Sequence, residues 1–383
     1  MITTRPYGVS PKVSITLDRV SVDYRSINVI DLYMNESSHD TAVLSMTGIP
    51  PRAITDYYGA PVSITIQYGM HYTHNFIGRV AEVKPESMTS AGLVSGSPFQ
   101  NAQIVCMGAS YEMRGATSKL WRSHSMTDVA TTLADRYGFS LDVPSTDVVH
   151  ENNTQANESD WKFLVRLVKS MGYEVNVHGT HMHIYDPYSA ASRVTSYHIL
   201  TTLKKAGREV DPVPGQIFDF NGSFAERNSD GEYSKTSLSV IDDAGKVYDV
   251  NTGDISSSSS KATYSNRVGG TFNSFAEARR AIDADRKGTY DYTANVRVNG
   301  LAGCVPGGVV KVDRYDSNFD GLWYVRGVHH RVHSDAFYTE LDIARNINSN
   351  LEIYNYKPFD TPPEPRYSGG RWESTRQVTN VYA

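Results

Sequence analysis

Apolar and polar residues alternate in short runs near both ends of the chain. Successive side chains of a β-strand point to opposite faces, so each run predicts a strand with one packed face and one face toward solvent or a partner. Strands that recur at such short intervals are typical of barrels and sandwiches. The alternating apolar positions are Val13, Ile15, Leu17, Val20, Val22, Tyr24, Val62, Ile64 and Ile66 in the first segment and Tyr292, Ala294, Val296 and Val298 in the second.

The pattern between these segments changes to helical spacing. Ser125, with an aspartate three positions on, resembles a capping box, and Gly138 suits a left-handed helix end before a short strand. The same order recurs downstream, where Ser159 or Asp160 can cap an apolar helical stripe that ends at Gly172 before another strand. We therefore expect two helix–glycine–strand units in one small α+β domain.

A histidine-rich hairpin follows the second unit. Gly179 and Thr180 form a two-residue loop that pairs His178 with His181, and His183 lies two residues on, so the three imidazoles are expected to share one face. Three histidines and a water are a possible zinc site. We expect no nearby carboxylate or cysteine to complete it, and histidines on a solvated hairpin face are common without a metal. No metal is the main expectation, with these three residues as the minority candidate.

A second histidine group stands in the run VRGVHHRVH near the end of the chain. His329 and His330 are neighbours in a predicted strand, so their side chains should point to opposite faces, with His333 further along. This arrangement does not favour a ligand set.

The same patterns divide the chain into five parts. Between the α+β part and the second alternating segment lie a flexible serine run, ISSSSSKATYSNRVGG, and a predicted helix, FAEARRAIDADRKG. The tail is rich in Pro, Gly and charge, and is expected to order on a partner. The predicted parts are a first β-barrel (1–110), an α+β domain (111–190), a mixed start of the second barrel with inserted loop and helix (191–290), a second β-barrel (291–345) and an extended arm (346–383).

Composition narrows the function classes. A chain of 383 residues is expected to form more than one domain, and its 25 Tyr and 12 Phe favour β-structure and partner surfaces. The net charge of −5 argues against a protein that mainly neutralises phosphates. The first residues resemble no signal peptide and no apolar run is long enough to span a bilayer, so we expect synthesis in a cytoplasm and no membrane association. Cys106 and Cys304 stand in apolar runs and are expected to be buried thiols.

The sequence contains no recognisable catalytic set. The motifs GxSxG, HExxH and the P-loop are missing, and the paired carboxylates Asp242 with Asp243 and Asp283 with Asp285 fall in a turn and on a helix. We therefore expect no enzyme activity and no cofactor. Two alternatives remain open: a carbohydrate-binding protein or adhesin, since tyrosines can stack on sugars, and a peptidoglycan hydrolase.

Two longer stretches resemble a known family. SDWKFLVRLVKSMGYEVNVHGTHMHIYDP is similar to a segment of the phage late-control D proteins, a baseplate hub family whose hub portion is shared with VgrG-type spike proteins. VPGGVVKV, GLWYVRGVHHRV and YTELDIARN resemble that family's second barrel, and IVCMGASYEMR less specifically the end of its first. The residues that carry the resemblance are Trp161, Phe163, Leu164, Leu167, Gly172, Tyr173, Asp186, Pro187, Pro306, Gly307, Trp323, Tyr324 and Val325.

The resemblance implies a fold and an assembly. The fold is mainly β with α+β insertions, with two β-barrel domains per chain that form a pseudo-sixfold ring in a homotrimer. Such a ring adapts a hexameric tail tube to a threefold central spike and keeps a channel through which DNA passes without specific binding. The implied partners are the tail tube and spike proteins, with the tape measure and baseplate wedge proteins as further possibilities. The implied location is the baseplate of a virion tail, assembled in the host cytoplasm.

Two further features of the sequence refine this expectation: its departures from the family pattern and its net charge. No lysozyme-like insertion and no spike β-helix is visible, so peptidoglycan cleavage and membrane puncture are expected to belong to other chains. Whether the tail is contractile stays open. Because the chain is acidic, we expect acidic side chains to dominate the channel wall of a trimer and repel DNA phosphates.

Overall fold

The structure of the chain is a computed structural model. The residues that the structure describes are 11–23, 26–49, 54–68, 72–85, 100–144, 149–187, 197–201, 214–224, 235–241, 247–251, 265–267, 292–313, 315–316, 318–333, 336–345, 366–368 and 371–373.

The first segment consists of antiparallel strands, as the alternation predicts. Of the predicted apolar positions, Ile15, Ile64 and Ile66 are each at most 2% exposed, whereas Val20 is 56% exposed. Two short 3-10 helices, Ile54–Tyr57 and Ala109–Arg114, interrupt the strands. The strands are β1 (Lys12–Leu17), β2 (Val20–Val22), β3 (Ile27–Asn35), β4 (Thr41–Ile49), β5 (Pro61–Tyr68), β6 (Tyr72–Pro85) and β7 (Gln100–Gly108).

The middle segment contains two helices packed on short strands. Ser125 forms the predicted capping box with Asp128, and Gly138 ends the first helix at a φ of 71°. Ser159, not Asp160, caps the second helix, and Gly172 follows its end at a φ of 76°. The elements are β8 (Ala116–Ser125), α1 (Met126–Tyr137), β9 (Ser140–Asp142), β10 (Val149–Ser159), α2 (Asp160–Ser170), β11 (Glu174–His178) and β12 (His181–Tyr185).

The paired strands β8 and β10 were not predicted from the sequence. They form an antiparallel ribbon from Ala116 and Ser159 at one end to Ser125 and Val149 at the other. In β8 only Trp121 and Ser125 are buried, so the strand has no apolar alternation that could reveal it. Backbone pairing between two polar segments forms this ribbon.

The remaining strands complete the β-structure. Among them, β15 pairs antiparallel with β16. The elements are β13 (Tyr197–Thr201), β14 (Ile217–Phe224), β15 (Lys235–Ile241), β16 (Val247–Asn251), β17 (Ser265–Arg267), β18 (Tyr292–Asn299), β19 (Val309–Asp313), β20 (Gly321–His333), β21 (Phe337–Arg345), β22 (Arg366–Ser368) and β23 (Arg371–Glu373).

One 13-stranded sheet joins the two terminal segments. Its main path is β14-β18-β21-β20-β3-β4-β7-β6-β5-β1-β2, with β19 beside β20 and β13 beside β19. Residues Gly327 to His333 of β20 pair antiparallel with Asn35 to Val29 of β3. We call this pairing the seam. The fold is mainly β, and the two segments predicted as separate barrels share one continuous curled sheet.

Three hydrophobic cores stabilise the fold. The first lies between strands β1–β7 and includes Leu44, and the third lies between β14 and β18–β21 and includes Leu341. The second is built by the middle segment around both helices. Cys106 and Cys304 are buried free thiols in the first and third cores, and burial raises the pKa of each to about 12.

Several predicted features lie outside the described residues. These are the helix at 274–288, most of the serine-rich loop, both carboxylate pairs and all of the tail except the short strands β22 and β23. Within the described part of the chain, no helix combines the length and apolar character needed to cross a bilayer.

Candidate functional site

The signature residues of helix α2 form the second core. Phe163 and Leu164 are fully buried, and Phe163 stacks on Trp121 of β8 with ring centroids 5.9 Å apart. Leu167 is also buried. The ring of Trp161 lies 5.0 Å from the ring of His39, in the loop between β3 and β4. The apolar stripe therefore holds the helix on its own strands, while Trp161 connects it to the large sheet.

Asp160, the first residue of α2, is the centre of a buried polar cluster. Its carboxylate accepts hydrogen bonds from Arg136 Nη1 at 2.6 Å, Tyr137 Oη at 2.7 Å and Gln155 Nε2 at 2.7 Å, and from Thr117 Oγ1 at 3.2 Å. Burial alone acts to raise the pKa of Asp160, but these hydrogen bonds and the charge of Arg136 prevail and lower it. The sequence showed Asp160 only as a possible cap, since its donors lie on three other elements.

The hairpin β11–β12 connects the middle segment to the large sheet. Asn176 Nδ2 donates to Tyr185 Oη at 2.8 Å and to the carbonyl of Pro306 at 3.3 Å. Tyr324 Oη lies 3.4 Å from Tyr185 Oη. Signature residues from both stretches, Pro306 and Tyr324 on one side and the hairpin on the other, therefore meet in space.

The other signature residues support this arrangement. Gly307, at a φ of 88°, donates its N–H to the carbonyl of Val325 at 2.9 Å. Trp323 is fully buried and donates from Nε1 to the carbonyl of Phe319 at 2.8 Å. Tyr173 donates its N–H to the carbonyl of Val168 at 3.1 Å and so closes the end of α2. Asp186, half-buried, and Pro187, buried, directly follow β12.

The loop end of the hairpin carries a His–Asp pair in which the carboxylate is buried and the imidazole half-buried. His178 Nδ1 lies 2.8 Å from Asp40 Oδ2, and His74 is buried close by. Burial acts to lower the pKa of His178, but the charge and hydrogen bond of Asp40 prevail and raise it. Burial and the neighbouring His178 lower the pKa of His74 to about 4. His178 Nδ1 is therefore engaged with Asp40 and joins two segments of the chain.

In the same region, Glu36 is a carboxyl group in an unfavourable environment. Its Oε1 is buried without a hydrogen-bond partner, and its Oε2 lies 3.7 Å from Arg326 Nε. Burial and the nearby charge of Glu174 raise the pKa of Glu36 to about 9. Glu36 is therefore protonated near neutral pH.

The structure groups the predicted metal candidates differently from the prediction. His178 pairs with His181 across the hairpin, as predicted, but the carboxylate expected to be missing is present: Asp142 Oδ2 lies 2.8 Å from His183 Nδ1. That expectation was wrong because Asp142 precedes α2 in sequence, and strand β9 brings it alongside β12. On the same strand as Asp142, Ser140 Oγ lies 2.9 Å from His181 Nδ1.

The second histidine group is divided, as predicted. His329 is bound between Asp31 at 2.8 Å and Glu340 at 3.2 Å, while His330 is fully buried on the other face near His74. His329 also stacks on Tyr33, with ring centroids 4.2 Å apart. These contacts lie along the seam and stabilise the pairing of β20 with β3.

Solved structures of similar fold include tail proteins. The chain aligns with the tail protein from Neisseria meningitidis MC58 at a TM-score of 0.62 and 13% identity, over 88% of this chain and 97% of that one. The 43 kDa tail protein of prophage MuSo2 from Shewanella oneidensis gives a TM-score of 0.59 and 12% identity, over 88% and 97%. The E. coli c3393 protein, a component of the type VI secretion system, gives 0.54 and 10%, over 91% and 79%. At these identities the likeness shows a shared fold.

Sequence comparisons add a family. No curated protein matches the chain. A family model described as the Alg8 N-terminal domain matches residues 59–334, which is more than half of the 383 residues. This description names neither a tail protein nor the late-control D family, so membership of the latter stays a proposal. By the extent of the match, the chain belongs to the Alg8 N-terminal domain family.

Proposed function

We propose that this protein is a structural, non-enzymatic baseplate hub of a phage or phage-like tail. In this role three copies form a ring that adapts the hexameric tail tube to the threefold spike and leaves a channel for DNA. The observation that carries the proposal is the fold likeness to the two tail proteins, which covers 88% of this chain and 97% of each of theirs. The sequence resemblance to late-control D proteins is an independent reason for the same role.

The open edges of the large sheet support assembly. Among the described strands, β14 pairs with β18 alone, and it exposes Phe218 and Phe224 by 50% and 48%. At the other end of the sheet, β2 pairs, within the same described part, with β1 alone and exposes Val20 by 56%. Edge strands offer backbone N–H and C=O groups to another chain, and exposed aromatic residues are frequent in interfaces. Neighbouring subunits or the tube protein would add at these edges.

The partners follow from the role. A ring of this kind would contact the tail tube on one side and the spike on the other, with the tape measure and wedge proteins as further neighbours, in the baseplate of the virion. Acidic side chains along the channel would keep DNA from binding. A positive electrostatic potential on the channel wall of the assembled ring would contradict this last expectation.

The test is the mass of the particle in solution. The purified chain, alone and co-expressed with the tube and spike proteins of its own tail, is expected to run as a trimer or to co-purify with them. Replacing Phe218 and Phe224 with Asp should reduce the trimer, whereas Tyr58→Asp, at a side chain 68% exposed and outside the strands, should not. A monomer under every condition would contradict the proposal.

The two alternatives have their own readouts. A carbohydrate-binding tail protein should bind glycans as an isolated chain, and a peptidoglycan hydrolase should clear a cell-wall zymogram. The proposed hub should do neither.

A further inference from the structure

The three-stranded sheet of the middle segment places a carboxylate beside two histidines. Its order is β11-β12-β9, with β9 at the edge and parallel to β12. The register sets Ser140 beside His181 and Asp142 beside His183. Residues two apart in a strand share a face, so all four side chains belong to one face at this edge.

The distances bring three possible ligand atoms together. Asp142, His181 and His183 each offer one ligand atom, and these atoms all lie within 4.8 Å of one another. Zinc binds histidine nitrogen and carboxylate oxygen at about 2.0–2.2 Å, so two of its ligand atoms are separated by at most about 4.4 Å. Small side-chain rotations would bring ligand atoms that lie up to 4.8 Å apart within this limit. Asp142 and His181 are exposed, so little packing opposes such rotations.

His183, the third of these residues, is fixed by the side chains around it. His183 is 7% exposed and stacks between His181, at 6.1 Å, and Tyr185, at 5.1 Å between ring centroids. Tyr185 is fully buried and accepts a hydrogen bond from Asn176. Ser140 Oγ, 2.9 Å from His181 Nδ1, can orient that imidazole, as the outer hydrogen bonds of metal-bound histidines do.

We propose that Asp142, His181 and His183 form a binding site for a divalent transition-metal cation, with zinc as the best match. Two imidazoles and one carboxylate are a ligand set that zinc uses, and two exposed members leave a fourth position open to water or to a side chain of another chain. His178 is not a member of this group, because its Nδ1 binds the buried Asp40 and so joins two segments. The site does not depend on the proposed hub function, and its test leaves that function untouched.

The test uses the untagged full-length chain after chelator treatment. Calorimetric titration with Zn²⁺ is expected to show one strong site per chain. His181→Gln and Asp142→Asn should each weaken binding by at least about tenfold, the order of loss seen even when outer partners of a metal ligand are removed. His124→Gln, which removes a histidine from β8 outside the group, should bind like the parent chain. Substitution with Co²⁺ should give a tetrahedral absorption spectrum that His181→Gln loses.

Two results would overturn the site. One is a folded parent chain that takes up no zinc, and the other is a His181→Gln or Asp142→Asn variant that binds as tightly as the parent. Because both of these side chains are exposed, their variants should keep the fold, which circular dichroism checks. His183→Gln is the less informative variant, since His183 is buried.

Discussion

At the scale of single residues, two largely buried carboxyl groups determine how the stability of the protein responds to mutation and pH. Asp160 is 1% exposed, yet its charged form is favoured because four side chains donate to it. Glu36 shows the opposite case, since its environment favours the protonated form. The two carboxyl groups therefore lead to different predictions.

Asp160→Asn is expected to lower the free energy of unfolding by about 1.5–3 kcal/mol, the range for hydrogen bonds to charged groups. The pKa of Asp160 is lowered on folding, so its stabilisation is complete above the unfolded value of about 3.9 and is lost as pH falls through the folded value. Urea denaturation at neutral pH measures the loss. Asp135→Asn, at an exposed position of α1, is the control and should change stability by less than about 0.5 kcal/mol. Equal losses in both variants would contradict the role assigned to Asp160.

Glu36→Gln is expected to stabilise the protein above acidic pH. Folding raises the pKa of Glu36 from 4.5 to about 9, so between these values the folded state binds more protons than the unfolded state. Stability contributed by this group is present below the unfolded pKa and falls as pH rises toward the folded one. Glutamine removes the dependence, and at pH 8 the gain should reach at least about 1 kcal/mol.

Denaturation curves at pH 5 and pH 8 measure this difference. Glu82→Gln, at an exposed position of β6, is the matched control and should stay within about 0.5 kcal/mol of the parent. A gain from Glu36→Gln that is the same at both pH values would speak against the raised pKa of Glu36 as its cause.

At the scale of elements, the close approach of Phe337 to Gly300 leaves no room for a side chain at the end of β18. Gly300 follows β18 and donates its N–H to the carbonyl of Phe337 at 2.9 Å. A Cβ at this position would overlap the ring of Phe337, which packs edge-on against Tyr68 at 5.3 Å between ring centroids. The absence of a side chain at Gly300 therefore allows Phe337 to reach the first core.

Gly300→Ala is expected to destabilise the protein by about 1–3 kcal/mol, the usual cost of overpacking a core. Gly115→Ala is the control, because Gly115 has a φ of −62° and a Cβ added there would meet no atom within 4 Å beyond its chain neighbours. Thermal unfolding of the two variants compares them directly. If Gly115→Ala were the more harmful substitution, the packing argument would be wrong.

At the scale of the whole molecule, the seam makes the two terminal segments one structural unit. Seven consecutive residues of β20, from Gly327 to His333, pair with β3, and Asp31 binds His329 at 2.8 Å and Arg331 at 3.5 Å. The hairpin β11–β12 then connects the middle segment to the same sheet through Asp40 and Pro306. Contacts of this extent should make unfolding cooperative.

Calorimetry on the parent chain is therefore expected to show a single unfolding transition of the large sheet. Leu44→Ala in the first core and Leu341→Ala in the third, each at most 1% exposed, should both shift that same transition, at a cost of about 2–5 kcal/mol each. Two transitions, with each variant shifting only one of them, would show that the segments unfold independently.

The local structure of this protein could be predicted from its sequence. Alternation showed the strands of the first core, Ser125 and Gly138 marked the limits of α1, and the Gly179 turn set His178 opposite His181. Each of these depends on residues a few positions apart, whose spacing and backbone preferences act within one element.

Tertiary structure decided the contacts that depend on distant residues. Asp31 and His329 are 298 positions apart, Asp142 reaches His183 only through β9, and the polar ribbon of β8 and β10 has no apolar pattern to mark it. Such pairings depend on which strand edges and charges the whole fold brings together. They therefore cannot be predicted from the spacing of residues within one element.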